Sequence, residues 1–276
     1  RSDHPGIDEE KIEALITSKT KAIVPVHYAG VSCDMGKIMT IANKHDIFVV
    51  EDAAQAIDSF YKDKALGSIG HLGTFSFHET KNIQCGEGGL LAINDDRFIK
   101  RAEIIWEKGT NRAKFFRGEI NKYGWVDIGS SFLPSELNSS FLFAQLENLE
   151  IIQTRRKEIF KKYYDGLKPL ENQKKIILPH IPNYASKNGH MFYFICPSIE
   201  IRTQLIRFLK LNDIHAVFHY QSLHKSDYYT DKYNGEKLYQ ADKYTDQLIR
   251  LPYYFNLSED DLCKIINKIK FFFNEK

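Results

Sequence analysis

IFVVEDAAQA, residues 47–56, decides the fold. Its first five residues are nearly continuous in apolar side chains. Such a run fits a strand of a parallel sheet covered on both faces. Upstream, residues 21–28 (KAIVPVHY) form a second apolar, β-branched run. Residues 34–45 (DMGKIMTIANKH) place Met35, Ile38, Ile41 and Ala42 at helical spacing, with Asp34 as N-cap. Downstream, 73–77 (GTFSF) and 88–93 (GGLLAI) read as strands, and 95–107 (DDRFIKRAEIIWE) as a helix stopped by Gly109. Strands alternating with helices imply an open α/β sheet, and such sheets bind ligands at the edge where their strands end.

The rest of the chain follows from this frame. Residues 108–133 are loop-like, with Gly109, Gly118, Gly124 and Gly129 set among aromatics and arginines. Pro134 opens an amphipathic stretch to about Asp165, in which Leu137, Phe141, Ala144, Leu146, Leu149 and Ile152 keep an approximately helical period. From 166 onward, strands at 175–178 (KIIL), 190–196 (HMFYFIC) and 214–218 (IHAVF) are predicted, with helices near 201–211, 236–249 and 258–273. The expected organisation is a large α/β part over 1–133, a long linking helix over 134–165 and a small C-terminal α/β domain over 166–276.

Composition narrows the function classes. Hydrophobic residues make up 43% and charged residues 27%, which excludes a mostly disordered chain. No apolar run approaches the ~18 residues of a membrane-spanning helix. Lys and Arg number 38 against 36 Asp and Glu, so there is no electrostatic footprint for nucleic acid or anionic lipid. Cys33, Cys85, Cys196 and Cys263 fit neither a zinc motif nor a dense disulfide framework, and a reducing cytosol is expected. The chain opens at Arg1 without a charged-then-apolar leader, and so abruptly that a fragment of a longer protein is expected.

Three short pieces carry candidate chemistry: VVEDAAQA with Asp52 and Gln55, GTFSFHETKN with Ser76 and Lys81, and the glycine cluster CGEGG at 85–89. A carboxylate at the end of a buried strand needs a cationic partner. A lysine in a loop at the same sheet edge could be that cation, or an amine held for Schiff-base chemistry. Nearby glycines let backbone approach a flat ligand, and a serine can donate to a phosphate oxygen. Together they match the needs of pyridoxal phosphate. Singly each has a plainer reading: a surface lysine, a helix N-cap at Asp52, a structural turn at GEGG.

In their order, VEDAAQA, FSFHETKN and GEGG resemble the DegT/DnrJ/EryC1/StrS sugar aminotransferases, which use pyridoxal 5'-phosphate on the type I, aspartate aminotransferase-like fold. PVHYAG at 25–30, EKGTNR at 107–112, KYGWVDIGSSF at 122–132 and AVFHYQSLH at 216–224 resemble a branch that aminates a nucleotide-linked 4-keto-6-deoxyhexose. The resemblance implies that Lys81 is the catalytic Schiff-base lysine and Asp52 the acid facing the pyridine nitrogen. It sets Gln55 against the ring and Ser76 on the phosphate. His27 and Tyr28 would line the pocket, and His219 and His224 would lie near the sugar. The family's G-x-N-x-R motif departs here: after Gly129, Ser131 takes the Asn place and Leu133 the Arg place. Ser131 is the expected, shorter-reaching contact to the partner subunit's phosphate.

The resemblance also implies L-glutamate as amino donor, a homodimer and a cytoplasmic pathway to bacterial surface polysaccharide. Family members carry a further N-terminal part that supplies strands, an aromatic face and phosphate-binding amides. Residues 1–133 would then be the C-terminal portion of a truncated cofactor-binding large domain, and the chain alone is expected to lack full activity. The rival readings are amination at C3, cofactor-dependent dehydration, which the lysine at 81 opposes, and an inactive remnant that only pairs with itself. His215, His219 and His224 have a spacing that could suggest a metal, but along a strand residues i and i+4 lie ~13 Å apart, so no metal is assigned. The FFF at 271–273 reads as packing, and TRRKEIFKKYY at 154–164 as a solvated helix face.

Overall fold

Residues 1–275 are described by a computed structural model. Helix α1 (Glu9–Ile12) and a 3-10 turn lead into the short strand β1 (Ala22–Ile23). Asp34 accepts a hydrogen bond from Lys37 N at 3.2 Å and starts α2 (Met35–Lys44), whose Met35, Ile38 and Ala42 are fully buried. Strand β2 (Phe48–Asp52) follows. A hairpin of β3 (Phe60–Tyr61) and β4 (Lys64–Ala65) precedes β5 (Leu72–Ser76) and β6 (Gly89–Ile93).

The main sheet has the order β1-β2-β5-β6. Its first three strands are parallel, and β6 returns antiparallel to β5 because residues 77–88 fold back without a crossover helix. The run at 21–28 gives only β1 and an isolated bridge from Val26 to Asp52. Pro25 lies between them and has no N–H to give to the ladder, though its carbonyl accepts from Asp52 N at 2.9 Å.

Helices α3 (Ile99–Trp106) and α4 (Arg112–Phe116) come next, and α4 occupies a stretch expected to be loop. The stretch after Pro134 is a pair of helices rather than one. Ser135 caps α5 (Glu136–Glu147), and α6 (Leu149–Asn172) starts beyond Asn148. Asn148 leaves helical geometry at φ −102°, ψ 13°, and its side chain bonds back to Ala144 O at 2.8 Å. No residue of α5 is buried, and Leu137 and Phe143 stay 83% and 64% exposed.

The C-terminal part contains β7 (Tyr193–Ile195), α7 (Ile199–Lys210), β8 (Val217–Phe218), α8 (Tyr239–Gln247), β9 (Leu248–Arg250) and α9 (Glu259–Asn274). Its sheet has the order β7-β9-β8, with antiparallel pairs. Residues 248–249, expected as the end of a helix, are strand, because Leu248 and Ile249 pair with Ile195 and Phe194 in the buried centre. The KIIL run at 175–178 contributes only a bridge from Ile177 to Ile195. Helix α6 passes Asp165 and packs Ile159, Phe160, Tyr163, Leu167 and Leu170 into one core with α7 and α9. A second core lies between α2 and the main sheet. Tyr28 and Ala29 join Tyr193, Tyr244 and Leu248 in a smaller cluster that binds the two parts together.

Candidate active site

Asp52 ends β2 and is tied into the sheet edge. Its carbonyl accepts from His27 N at 3.1 Å, and its Oδ1 accepts from Ala54 N at 3.0 Å. Neighbouring residues on a strand face opposite sides, and the preceding Glu51 is wholly buried. Glu51 accepts from His27 Nε2 at 2.9 Å and from the amides of Gly67, Ile69 and Gly70 at 2.8, 2.6 and 2.6 Å. Burial alone would raise its carboxyl, but the His27 ring and these amides hold it below the ordinary value. His27 Nδ1 accepts from Cys33 N at 3.2 Å, which leaves the ring proton on Nε2 for Glu51. This buried dyad anchors the strand end that presents Asp52. The sequence reading passed over Glu51, although strand alternation beside Asp52 was the available signal.

Lys81 sits in the connection between β5 and β6, with its N–H donating to His78 O at 2.9 Å. Its half-buried amine is lowered by burial, and the Asp52 charge pulls it the other way. The two groups therefore act on each other, yet they form no ion pair within 4.0 Å. That spacing leaves room between an amine and a carboxylate at one sheet edge. Ser76 ends β5 next to β2, and its Oγ accepts only a long bond, 3.4 Å, from His78 N. Gln55 Oε1 accepts from Ala29 N at 2.6 Å, and the adjacent Tyr28 hydroxyl is 3.1 Å from His219 Nδ1. Residues 27–29 thus connect Asp52, Gln55 and His219.

The other two expected residues stand apart. His224 Nε2 is 3.1 Å from Asp242 Oδ1, and Lys225 Nζ lies 3.0 Å from the same carboxylate, so His224 is tied to α8. Ser131 is exposed and bridges Glu107 through its backbone.

A network that sequence reasoning missed lies beneath Lys81. Asn82 Nδ2 donates to Gln153 Oε1 at 2.9 Å and to Asn188 O at 3.0 Å, and its Oδ1 is 2.9 Å from His190 Nδ1. Asn188 Nδ2 in turn donates to Gln55 O and Ile57 O, both at 2.8 Å. Only the adjacency of Asn82 to Lys81 could have hinted at this. Burial, then the charges of Arg156, Lys81 and Arg250, push His190 down to about 3. Burial and Arg250 push His219 down to about 4. An unfolded histidine titrates near ~6.5, so below that pH the unfolded chain binds protons that the folded one refuses. Stability is therefore complete above ~6.5 and lost as pH falls toward the folded values. Thermal melts from pH 7 to 4 are expected to show a falling midpoint, with a shallower slope in His190→Asn. An unchanged slope in that variant would remove His190 from the account.

The family can now be read against this geometry. Residues 2–270 match the DegT/DnrJ/EryC1/StrS aminotransferase family. The chain belongs to that family. It is 32% identical over 273 residues to MJ1066 of Methanocaldococcus jannaschii, covering 96% of this chain and 70% of the relative. It is 30% identical, with the same coverage, to the spore coat polysaccharide biosynthesis protein SpsC of Bacillus subtilis. Spr1654 of Streptococcus pneumoniae, solved in its PLP form, superposes with a TM-score of 0.86 at 25% identity, covering 100% of this chain and 74% of that one. The fold is that of the type I pyridoxal-phosphate enzymes, and this DegT/DnrJ/EryC1/StrS family member is an aminotransferase with pyridoxal 5'-phosphate as its cofactor. The residues present fit that group: a desolvated amine, a carboxylate set off from it, and a strand-end hydroxyl without a short acceptor bond. Among the described residues no helix is long and apolar enough to cross a membrane.

Proposed function

We propose that this aminotransferase moves the amino group of L-glutamate to dTDP-4-keto-6-deoxy-D-glucose, giving dTDP-4-amino-4,6-dideoxy-D-galactose. The observation that carries the proposal is the half-buried Lys81 amine with Asp52 within electrostatic reach and no ion pair between them. Bound pyridoxal phosphate supplies the stabilisation of the carbanion. Lys81 Nζ would hold the cofactor and would serve as the base that takes the proton from the donor's nitrogen-bearing carbon and, in the second half-reaction, as the acid that delivers one to the sugar carbon, and burial favours the neutral amine the first role needs. The Asp52 carboxylate holds a proton on the ring nitrogen. Gln55 braces the ring, Ser76 donates to the phosphate, and Ser131 reaches the phosphate of a partner subunit.

The choice of sugar rests on the branch stretches PVHYAG, EKGTNR, KYGWVDIGSSF and AVFHYQSLH. His219, bonded to Tyr28, is the better placed of the two histidines assigned to the substrate, and His224 would act through its own loop. We assign 1–133 to the cofactor-binding part, 134–165 to the link and 166–276 to the small domain. The likeness to SpsC supports a place in bacterial surface polysaccharide synthesis, such as enterobacterial common antigen or O-antigen, in the cytoplasm. Exposed Trp125, Ile128, Leu137 and Phe143 support pairing with a second copy. Incubation of a full-length version of the protein with cofactor, L-glutamate and the keto sugar tests the proposal. Amine at C4 of the recovered sugar, located by NMR, is expected. Amine at C3 would replace the regiochemistry, and no change of the cofactor spectrum on adding glutamate would defeat the reading.

A further inference from the structure

Gln55 and Lys81 lie on turns that leave neighbouring strands. The turn after β2 closes on itself, Ala56 N donating to Ala53 O at 2.8 Å, and the turn after β5 does the same, Lys81 N donating to His78 O at 2.9 Å. Apolar contact joins the two turns, with Ile57 packed on the cluster of Phe77, Ile83 and Cys85. Such contact is non-directional and sets no angle between them. Direction comes from Asn188, a wholly buried residue 106 positions from Asn82 and 133 from Gln55.

Asn82 is covalently bonded to Lys81, and its Nδ2 donates to Asn188 O at 3.0 Å. Asn188 Nδ2 donates onward to Gln55 O and Ile57 O, both at 2.8 Å. A strap of buried amides therefore runs from the Lys81 turn to residues 55–57. Its polar atoms are all taken. Asn82 gives its second amide hydrogen to Gln153 Oε1 at 2.9 Å, and its Oδ1 faces His190 Nδ1 at 2.9 Å. Gln153 Nε2 donates to Asn188 O and to Asp58 Oδ2, each at 3.2 Å. Asn188 Oδ1 accepts from His190 N at 3.0 Å. The partners dictate which way each carboxamide points and leave none of its amide hydrogens for a ligand. The space is closed as well: a Cβ added to Gly30, at φ +76°, would lie 2.0 Å from Asn188 Oδ1.

We propose that Asn82 and Asn188 are positioning residues, which fix the Lys81 turn against Gln55 and so hold the amine where it can attack the cofactor. This rests on the reading of Lys81 as the cofactor-bearing lysine. In that attack the amine nitrogen bonds to the aldehyde carbon, and the aldehyde oxygen leaves as water. Reaction within a held pair depends steeply on placement, by about 10²-fold for a 1 Å error. Satisfied amide networks rigidify what apolar contact leaves loose.

The test mixes a full-length version of the protein with saturating pyridoxal 5'-phosphate and follows the band of lysine-bound cofactor by stopped flow. At saturation its limiting rate does not depend on how tightly the cofactor is held. Asn82→Ala and Asn188→Ala are each expected to lower that rate by about tenfold or more. The double variant should be no slower than the slower single, because one strap is cut only once. Tyr163→Phe removes a buried bond to Pro252 O, 2.8 Å long, in the small-domain core. It should lower the melting temperature and leave the rate alone. The proposal is overturned by wild-type rates in both single variants, by a double variant whose loss is the product of the singles, or by an equal loss in Tyr163→Phe. Should Asn188→Ala not fold, Asn82→Ala decides alone, since it leaves the bonds from Asn188 to residues 55 and 57 in place. Unmoved variants beside a normal wild-type band defeat the strap only, whereas a wild type without the band defeats the aminotransfer reading itself.

Discussion

Lys81→Ala is expected to abolish amino transfer and the absorbance band of lysine-bound cofactor together. The amine has two duties in the proposed reaction. It holds the cofactor covalently, and it carries the proton between two carbons. Proton transfer by a positioned side chain alone contributes about 10²–10⁴-fold, so losing both duties should take turnover below detection. Lys81 is half-buried and makes no side-chain hydrogen bond or ion pair among the described residues, so its truncation should leave the melting temperature nearly unchanged. Added cofactor is expected to be retained through Ser76 and Asp52, but with the spectrum of the free aldehyde. A variant that keeps the lysine-bound band would place the reactive amine elsewhere.

Asp52→Asn tests the opposite side of the same gap. The amide keeps the shape and can still accept from Ala54 N, now at 3.0 Å, so the strand end should persist. The charge is lost, and with it the means of keeping a proton on the ring nitrogen. A rate reduced by about 10²–10³-fold is expected, the scale for removing one preorganised electrostatic partner of the reacting group. A second readout follows from the pair itself. The Asp52 charge raises Lys81 against the lowering effect of burial, so its removal should lower the amine further. The acid limb of the pH–rate profile should move to lower pH in Asp52→Asn. A rate within about threefold of wild type would sink the assigned role, since so small a change is under 1 kcal/mol.

Much of this site was legible because its signals are local. The apolar run before Asp52 announces a covered strand, Asp34 announces a helix start, and Lys81 follows a strand within a few residues. Strand direction was not legible, since GGLLAI reads alike whether β6 runs up or down the sheet. The break at Asn148 was hidden because apolar spacing continues on both sides of it. Arg250 was hidden just beyond a helix expected to end at 249, and β9 becomes strand only because β7 and β8 flank it. The Glu51–His27 dyad and the Asn82–His190 contact depend on partners 24 and 108 residues away, and no local pattern encodes such a pairing.

Those separations also set an order of events. Tyr28 meets His219 across 191 positions, and Gln55 is held by Asn188 across 133. Closing such long loops slows folding, because the entropy is lost before the contact rewards it. On the ribosome, the N-terminal strands emerge long before the residues that complete their pocket. A nascent chain halted ahead of β8 would hold Asp52 and Lys81 but not His219 or Arg250, and would gain those two only once β8 and β9 had been made.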